Sequence, residues 1–567
     1  MCRFSRAWYY YQNIFNKKIS VLKNGITKLA FLIFFLSITL SVSAQSSTGD
    51  SSNYVVYALV AIAALILITV ILQVSDNLLR VEAKQMGVDK GGADFSIFPR
   101  IGNLFSATPP EFVGNDPVTY LKKGHDILLE GEAAKTIDNE VQANTFSVQP
   151  QNFIGMSPIP KVLPEVGDTV KAGDTLFFDK KRPEIKYAAP VSGEVIEVRR
   201  GAKRAISDIV ILKDKEIQYR AFDKFDLEEG SREDLVNYML ESGVWSFIRQ
   251  RPYDILANPT DIPSNIFVST FDTAPLAPDL NFVVAGKEVA FQKGLDILAK
   301  LTEGKVFLGL NAKGGNAPSV AFTNATGVER RWYNGAHPSG NVGIQIHHTA
   351  PVDGKNKAWI LGVQEVISIG TLFNEGKYDA SRLVAVTGSE LSHPKYVQTY
   401  IGASISELLQ GNVEGEGQRI ISGDVLSGRQ TNPAGFLNYF DDQITVIKEG
   451  DYYEMFGWLL PLAPRPSISK SFPNFLFKDY KFTPDTNTHG EKRAFVVTGQ
   501  YEQVLPMDIF PQHLMKAILV NDFERMEGLG IYELSEEDVA LCEFVCTSKQ
   551  PLQAILREGL DAMIDQG

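Results

Sequence analysis

Cysteine is nearly absent: there are three in 567 residues. Cys2 falls in a basic N-terminal stretch, which leaves Cys542 and Cys546 for the body of the chain. Two thiols cannot form a disulfide scaffold, nor supply four ligands to a structural zinc site or an iron–sulfur cluster. In "LCEFVC" they stand i, i+4, so both fit one helix face, and buried free thiols account for that spacing better than a metal does. So little cysteine suits a reducing, cytoplasmic setting for the main body. Positive charge is also in deficit. Lys and Arg number 55 against 67 Asp and Glu, a net charge of −12. Nucleic acid is therefore excluded as the main partner, because such proteins present a basic face. No H-E-x-x-H occurs, and no G-x-G-x-x-G follows a predicted strand; Gly314-Gly315 in "LNAKGGNAPS" reads as a turn.

What is present is ordinary globular composition, 44% hydrophobic and 22% charged, at a length for roughly three to four domains. The N-terminus differs from the rest. Arg3, Arg6, Lys17, Lys18, Lys23 and Lys28 precede the apolar run "LAFLIFFLSITL", and "SVSAQ" offers a cut after Ala44. Residues 1–45 thus read as a signal peptide or a first membrane segment. A second run, "YVVYALVAIAALILITVIL" from Tyr54 to Leu72, carries no charge. At ~1.5 Å per residue it covers about 28 Å, a bilayer core, so a transmembrane helix is expected over 54–73 within a segment 46–117 that ends as a linker. No Lys or Arg lies in 45–53, whereas Arg80, Lys84 and Lys90 follow the run, so the positive-inside rule places the large C-terminal body in the cytoplasm.

Residues 118–230 are strand-rich. "VGDTVKAGDTLFFDKK" and "APVSGEVIEVRRGAKR" alternate short apolar runs with turns, where Gly167, Asp168, Gly173 and Asp174 fit tight geometry. Two such halves suggest a biotinyl/lipoyl-type barrel sandwich. Lys180 and Lys181 lie near the place where carriers hold a swinging cofactor, but "DKKRPEIKY" lacks the Met-Lys-Met context and is long and polar, so a structural barrel is favoured. From 231 the period changes. "REDLVNYMLESGVWSFI" reads as helix, "SNIFVSTFD" and "GKVFLGLN" as buried strands, and "KEVAFQKGLDILAKLTE" as an amphipathic helix. Strand–helix alternation through 231–390 predicts a Rossmann-like parallel α/β domain. A small mixed module is expected over 391–455, and a mainly helical region over 456–567.

"AHPSGNVGIQIHH", residues 336–348, holds three of the seven histidines. "GIQIHH" reads as a strand opening at Gly343, which would point His347 and His348 to opposite faces and prevent shared chelation. On that reading Gly340 and Gly343 precede a strand rather than a helix N-terminus, which disfavours a phosphate cradle. A packed turn followed by a strand, with His337-Pro338 in the turn, is expected.

Beyond these patterns the chain resembles a known family. From about Leu121 to its end, "KKGHDILLEGE", "SGVWSFIRQRPYD", "FDTAPLAPDL", "GAHPSGNVGIQIHHTAPV", "RIISGDVLSG", "GQYEQVLPMDIFP" and "LGIYELSEEDVALCEFVC" fall in the order found in the A subunit of the Na+-translocating NADH:quinone reductases. The resemblance implies a peripheral subunit on the cytoplasmic side of a bacterial inner-membrane complex that couples NADH-to-quinone electron transfer to Na+ export. It implies five partner subunits, with docking on the membrane-embedded B subunit, and a β-grasp-like (SLBB) module at 391–455. It further implies no tightly bound cofactor in this subunit and no NADH oxidation by it alone, flavins and iron–sulfur centres lying in partner subunits. Trp245, Phe247 and Ile248 agree, standing where related flavin-binding subunits carry a glycine-rich loop.

Quinone is the ligand the resemblance suggests, through segments matching "NFIGM" and "FIRQRPYD". The residues so implicated are Phe153, Ile154, Gly155, Met156, Phe247, Arg249, Arg251, Pro252 and Tyr253. Aromatic side chains could face the ring, and Arg249 or Arg251 could donate to a carbonyl. The alternative is a purely structural docking module, its aromatics in the core and its arginines bridging to a neighbour. No catalytic residue and no metal ligand is expected. The N-terminal segment departs from the family, whose chains usually begin near the match to Lys122.

Overall fold

The computed structural model describes residues 59–64, 67–68, 70–71, 74–75, 109–456, 464–468 and 479–566. The chain divides into one unit of Met1–Thr108 and a second of Pro109–Gly567. In the first, the described residues are helical, and Val60, Ile62, Leu67, Ile68 and Ile71 are each more than half exposed. The expected signal segment lies outside the described residues, as does part of the expected span. Among the described residues no helix is long and apolar enough to cross a membrane.

The second unit begins its body with two facing antiparallel sheets. One orders Thr145–Val148, Ile206–Lys213, Gly193–Arg200 and Thr169–Val170; the other orders Lys161–Val162, Thr175–Asp179 and Arg182–Ala188. Phe146, Leu176, Phe177, Ile185, Tyr187, Val195, Ile209 and Ile211 fill the space between them. The Gly-Asp turns form as their chemistry dictates. Gly167 and Gly173 have φ of +97° and +95°, and Asp168 and Asp174 accept the backbone N–H of Glu165 and Lys171, each at 2.7 Å.

A seven-stranded sheet follows. Val118–Tyr120, Glu329–Asn334, Lys305–Asn311, Asn265–Ser269 and Ala358–Leu361 run parallel, and Arg249–Arg251 and Ile255–Leu256 close one edge antiparallel. Its central strands, Asn265–Ser269, Lys305–Asn311 and Ala358–Leu361, are apolar on both faces, as burial between helices requires. Ile266, Val268, Val306 and Leu308 join the main core with helices Glu288–Leu301 and Val363–Glu375. Phe267, Phe307 and Ile360, one residue out of phase, pack against Ile346 instead.

Ile346 belongs to a helix, Val342–Thr349, and not to the strand that its spacing suggests. The apparent period of two arises because Gln345 is buried although polar. Its amide donates to Ser269 Oγ at 2.8 Å and to Gly340 O at 3.3 Å. Ile344 then points into the C-terminal helices and Ile346 into the sheet, so the helix is buried nearly all round. The helix expected across 232–248 also stops early. Arg232–Ser242 ends at Gly243, left-handed at φ +83°, and Val244–Phe247 forms a separate tight turn.

A six-stranded mixed sheet orders Arg429–Thr431, Gln418–Ser422, Gln443–Lys448, Ser381–Thr387, Lys395–Tyr400 and Ala134–Asp138. Helices Tyr501–Val504, Pro511–Leu519, Phe523–Gly528, Glu536–Val545 and Leu552–Gln566 complete the unit around Leu514, Met515, Leu541, Leu556 and Leu560.

Candidate functional site

The parallel sheet reverses its winding at Asn265–Ser269. Chain continuing from that strand moves to Lys305–Asn311 on one side, and Ala358–Leu361 is later added on the other. Such a switch point opens a crevice beyond the carboxyl ends of the two neighbouring strands. Two adjoining cavities, of about 180 and 360 Å³, lie there. The smaller is bordered by Ser269, Phe271, Asp272, Leu361, Gly362 and, across it, His337 and Asp424. The larger extends to Asn152, Phe153 and Ile154 of the barrel sandwich and to Asn438 and Phe440 beside the six-stranded sheet. Arg249 and Asp272 border both.

The two implicated segments, about a hundred residues apart in sequence, meet at this cleft. Phe153 is buried with its ring 4.5 Å from Tyr187, 4.7 Å from Tyr439 and 5.8 Å from Phe440. Asn152 fixes that loop, its Oδ1 accepting Tyr439 N–H at 2.9 Å. Arg249 lies 5.2 Å from the Phe440 ring centre and donates to Asp254 at 3.2 Å, with part of its side chain open. Phe153, Ile154, Phe440 and Arg249 thus supply aromatic and aliphatic surface with one charged donor on its edge.

The other implicated residues stand elsewhere. Phe247 is core, 1% exposed, beneath Arg382 at 5.4 Å and between Tyr378 and Tyr439. Arg251 is not an open donor: it is 1% exposed and paired with Asp254 at 3.4 Å, Glu537 at 2.9 Å and Asp538 at 3.3 Å. Burial works to discharge it, but those carboxylates overcome burial and hold its pKa above the usual value. Pro252 is buried, and Tyr253 turns away to meet Tyr532 at 5.8 Å. Gly155 is exposed, and Met156 is half-buried against the main core. Trp245 and Ile248 are fully buried.

The cleft is acidic. Asp254, Asp272, Asp424, Asp441, Asp442, Glu536 and Glu537 border it against Arg249 and Arg429. Burial raises Asp272 to about 6, with Asp424 adding repulsion. Burial also raises Glu537 to about 7 although Arg251 opposes it, and Asp442 to about 7 although Arg382 opposes it. Asp272 is exposed where it borders the cavity. Gly340 and Gly343 do flank a helix N-terminus, contrary to the strand reading. Its first turn is already faced by the chain's own anion, because a Cβ on Gly343 would meet the Asp538 carboxylate. A phosphate brought into this cleft would face carboxylates, whereas an uncharged ring would not be repelled.

The histidines separate in role. His347 joins Glu533 at 2.6 Å through Nδ1 and accepts Asp508 N–H at 3.1 Å, and His348 reaches Pro506 O at 2.7 Å; both tie the helix to the C-terminal region. His337 borders the smaller cavity, 3% exposed, with Nδ1 3.1 Å from Thr273 Oγ1 and Nε2 buried without a partner. Leaving such a group unpaired costs roughly 1–3 kcal/mol. Burial lowers its pKa to about 4, so the ring is neutral near pH 7. Cys542 and Cys546 are buried free thiols, Cys546 lying 2.8 Å from Tyr501 OH. Among the described residues no cluster of three or more His, Cys, Asp or Glu could hold a metal ion.

Asp272, Asp424 and Glu537 escaped the sequence reading because they are far apart in sequence. Asp272 and Asp424 do fall in the blocks "FDTAPLAPDL" and "RIISGDVLSG", and that is the signal they left.

Three family profiles match: "NqrA N-terminal barrel-sandwich hybrid domain" over residues 119–214, "NqrA second alpha/beta domain" over 230–378, and "NQRA C-terminal domain" over 383–432. Similar curated proteins are named as the A subunit of Na(+)-translocating NADH-quinone reductase. That of Saccharophagus degradans is 38% identical over 450 residues, 79% of this chain and 99% of its own. Those of Vibrio atlanticus and Yersinia pestis bv. Antiqua are 36% and 37% identical over the same coverage. Among solved structures, an NAD+-reducing nickel–iron hydrogenase is 10% identical with a TM-score of 0.32 over 62% of this chain and 67% of that chain, a likeness too low to carry an argument.

Proposed function

The chain belongs to the A-subunit family of the Na(+)-translocating NADH-quinone reductases, a component of that multi-subunit, membrane-associated oxidoreductase, and from that premise we propose that its cleft takes the quinone headgroup. Phe153, Ile154 and Phe440 supply the wall for the ring, and Arg249 donates to one carbonyl oxygen. The observation that carries the reading is the meeting of both implicated segments at one cavity whose acidic rim suits a ligand without phosphate. The 360 Å³ of the larger cavity falls in the range of roughly 300–1,000 Å³ for small-molecule sites.

Electrons reach this cleft from carriers in the partner subunits, and the body docks on the membrane-embedded B subunit from the cytoplasmic side. Residues 54–73 anchor the chain, a reading supported by their lack of charge and by Arg80, Lys84 and Lys90 beyond them. Recovery of the isolated full-length protein in the soluble fraction after a carbonate wash would remove the anchor.

Arg249→Gln in the assembled complex tests the site. The KM for quinone is expected to rise about tenfold or more, the loss of one charged hydrogen bond, with NADH-to-ferricyanide electron transfer unchanged. An unchanged KM, with a quinone analogue binding as in the parent, would leave the docking-module reading in its place.

A further inference from the structure

We infer that Asp272 is the proton donor to the quinone oxygen farther from Arg249. This rests on the quinone reading above and deepens it. The loop after Asn265–Ser269 carries Asp272, and the turn before Val342–Thr349 carries His337; both end at the switch point and border the smaller cavity. Thr273 links them. Its Oγ1 accepts Gly340 N–H at 3.0 Å and lies 3.1 Å from His337 Nδ1. His337 Nε2 is itself sealed within the protein and has no partner there. Asp272 is anchored through Oδ1, which accepts Ala274 N–H at 2.8 Å.

The charges facing Asp272 come from four directions. Asp424 lies beyond Gln418–Ser422, its carboxylate held by the N–H groups of Leu426 and Ser427. Arg249 comes from strand Arg249–Arg251, Glu537 from helix Glu536–Val545, and His337 from its turn. Around the larger cavity stand Asp254, Arg429, Asp441, Asp442 and Glu536. Burial and the Asp424 carboxylate keep Asp272 protonated up to about pH 6.

Reduction of quinone to quinol takes two electrons, which the complex draws from NADH, and two protons, one for each carbonyl oxygen. At the oxygen farther from Arg249 the Asp272 O–H bond breaks as the quinol O–H bond forms, and Asp272 regains its proton from water at the cleft mouth. The second oxygen, beside Arg249, takes its proton from the same water.

The test compares Asp272→Asn and Asp272→Glu in the intact complex. The readouts are the pH profile of NADH-driven quinone reduction, the quinone KM, and electron transfer to ferricyanide, which takes no proton. Asp272→Asn is expected to lower kcat about a hundredfold and remove the limb near pH 6, with KM within about twofold and ferricyanide reduction unchanged. Asp272→Glu is expected to restore most of the rate. An unaltered kcat and profile in Asp272→Asn, with Arg249→Gln still raising KM, overturns the proton donor and leaves the quinone site standing. No effect of Arg249→Gln on KM overturns both. Should Asp272→Asn fail to assemble, the Asp272→Glu profile decides: a displaced limb supports the donor, and the parent profile overturns it.

Discussion

Arg249 and Arg251 leave the same strand two residues apart, on one face of the sheet, yet their surroundings differ. Arg251 is sealed among Asp254, Glu537 and Asp538. Arg249 keeps one partner, Asp254, and an aromatic ring, with an open cavity before it. The helix Glu536–Val545 makes the difference, because its first turn brings Glu537 and Asp538 over Arg251. Side chains of one type serve structure where counter-charges saturate them and remain available to a ligand where they do not.

The largest expected effect breaks the sealed side. Arg251→Ala leaves Asp538 buried without its cation, strips Glu537 of its own and leaves Asp254 only Arg249, and should cost about 3–5 kcal/mol, read by denaturant unfolding of the isolated chain. Ile344→Ala, which opens a void between helix Val342–Thr349 and the C-terminal helices, is expected to cost about 2–5 kcal/mol in the same measurement. On the open side Arg249→Gln should cost under about 1 kcal/mol of stability, since its partly exposed pair with Asp254 is worth little, while raising the quinone KM as described.

A smaller, pH-dependent effect sharpens the contrast. Glu537 and Asp442 titrate higher when folded, each at about 7, than when unfolded, near 4. The folded state therefore binds more protons between about pH 4 and 7, and their contribution to stability falls as pH rises through that window. Glu537→Gln should flatten this decline, seen as a smaller change in midpoint denaturant concentration between pH 5 and 8. Lys181→Ala, on the exposed hairpin of the barrel, is expected to change stability by less than about 0.5 kcal/mol.

Local rules were legible wherever local chemistry decided the outcome. The Gly-Asp turns of the barrel and the buried strands Asn265–Ser269 and Lys305–Asn311 follow from neighbouring residues alone. Helix Val342–Thr349 was hidden because burial of Gln345, a tertiary event, made its pattern look like alternation. Phe153, Ile154 and Arg249 were picked out with Phe247, Arg251 and Tyr253 by segment, and only folding separates those at the cavity from those in the core. The carboxylates at 272, 424 and 537 have no common motif, because two loops and one helix N-terminus, distant in sequence, assemble them.

The most direct measurement is photolabelling of the intact complex with a photoreactive quinone analogue, followed by peptide mapping. The account predicts labelling within residues 152–156 or 249–256 of this chain, suppressed by excess quinone and lost in Arg249→Gln. Labelling confined to a partner subunit and unaffected by Arg249→Gln would contradict it.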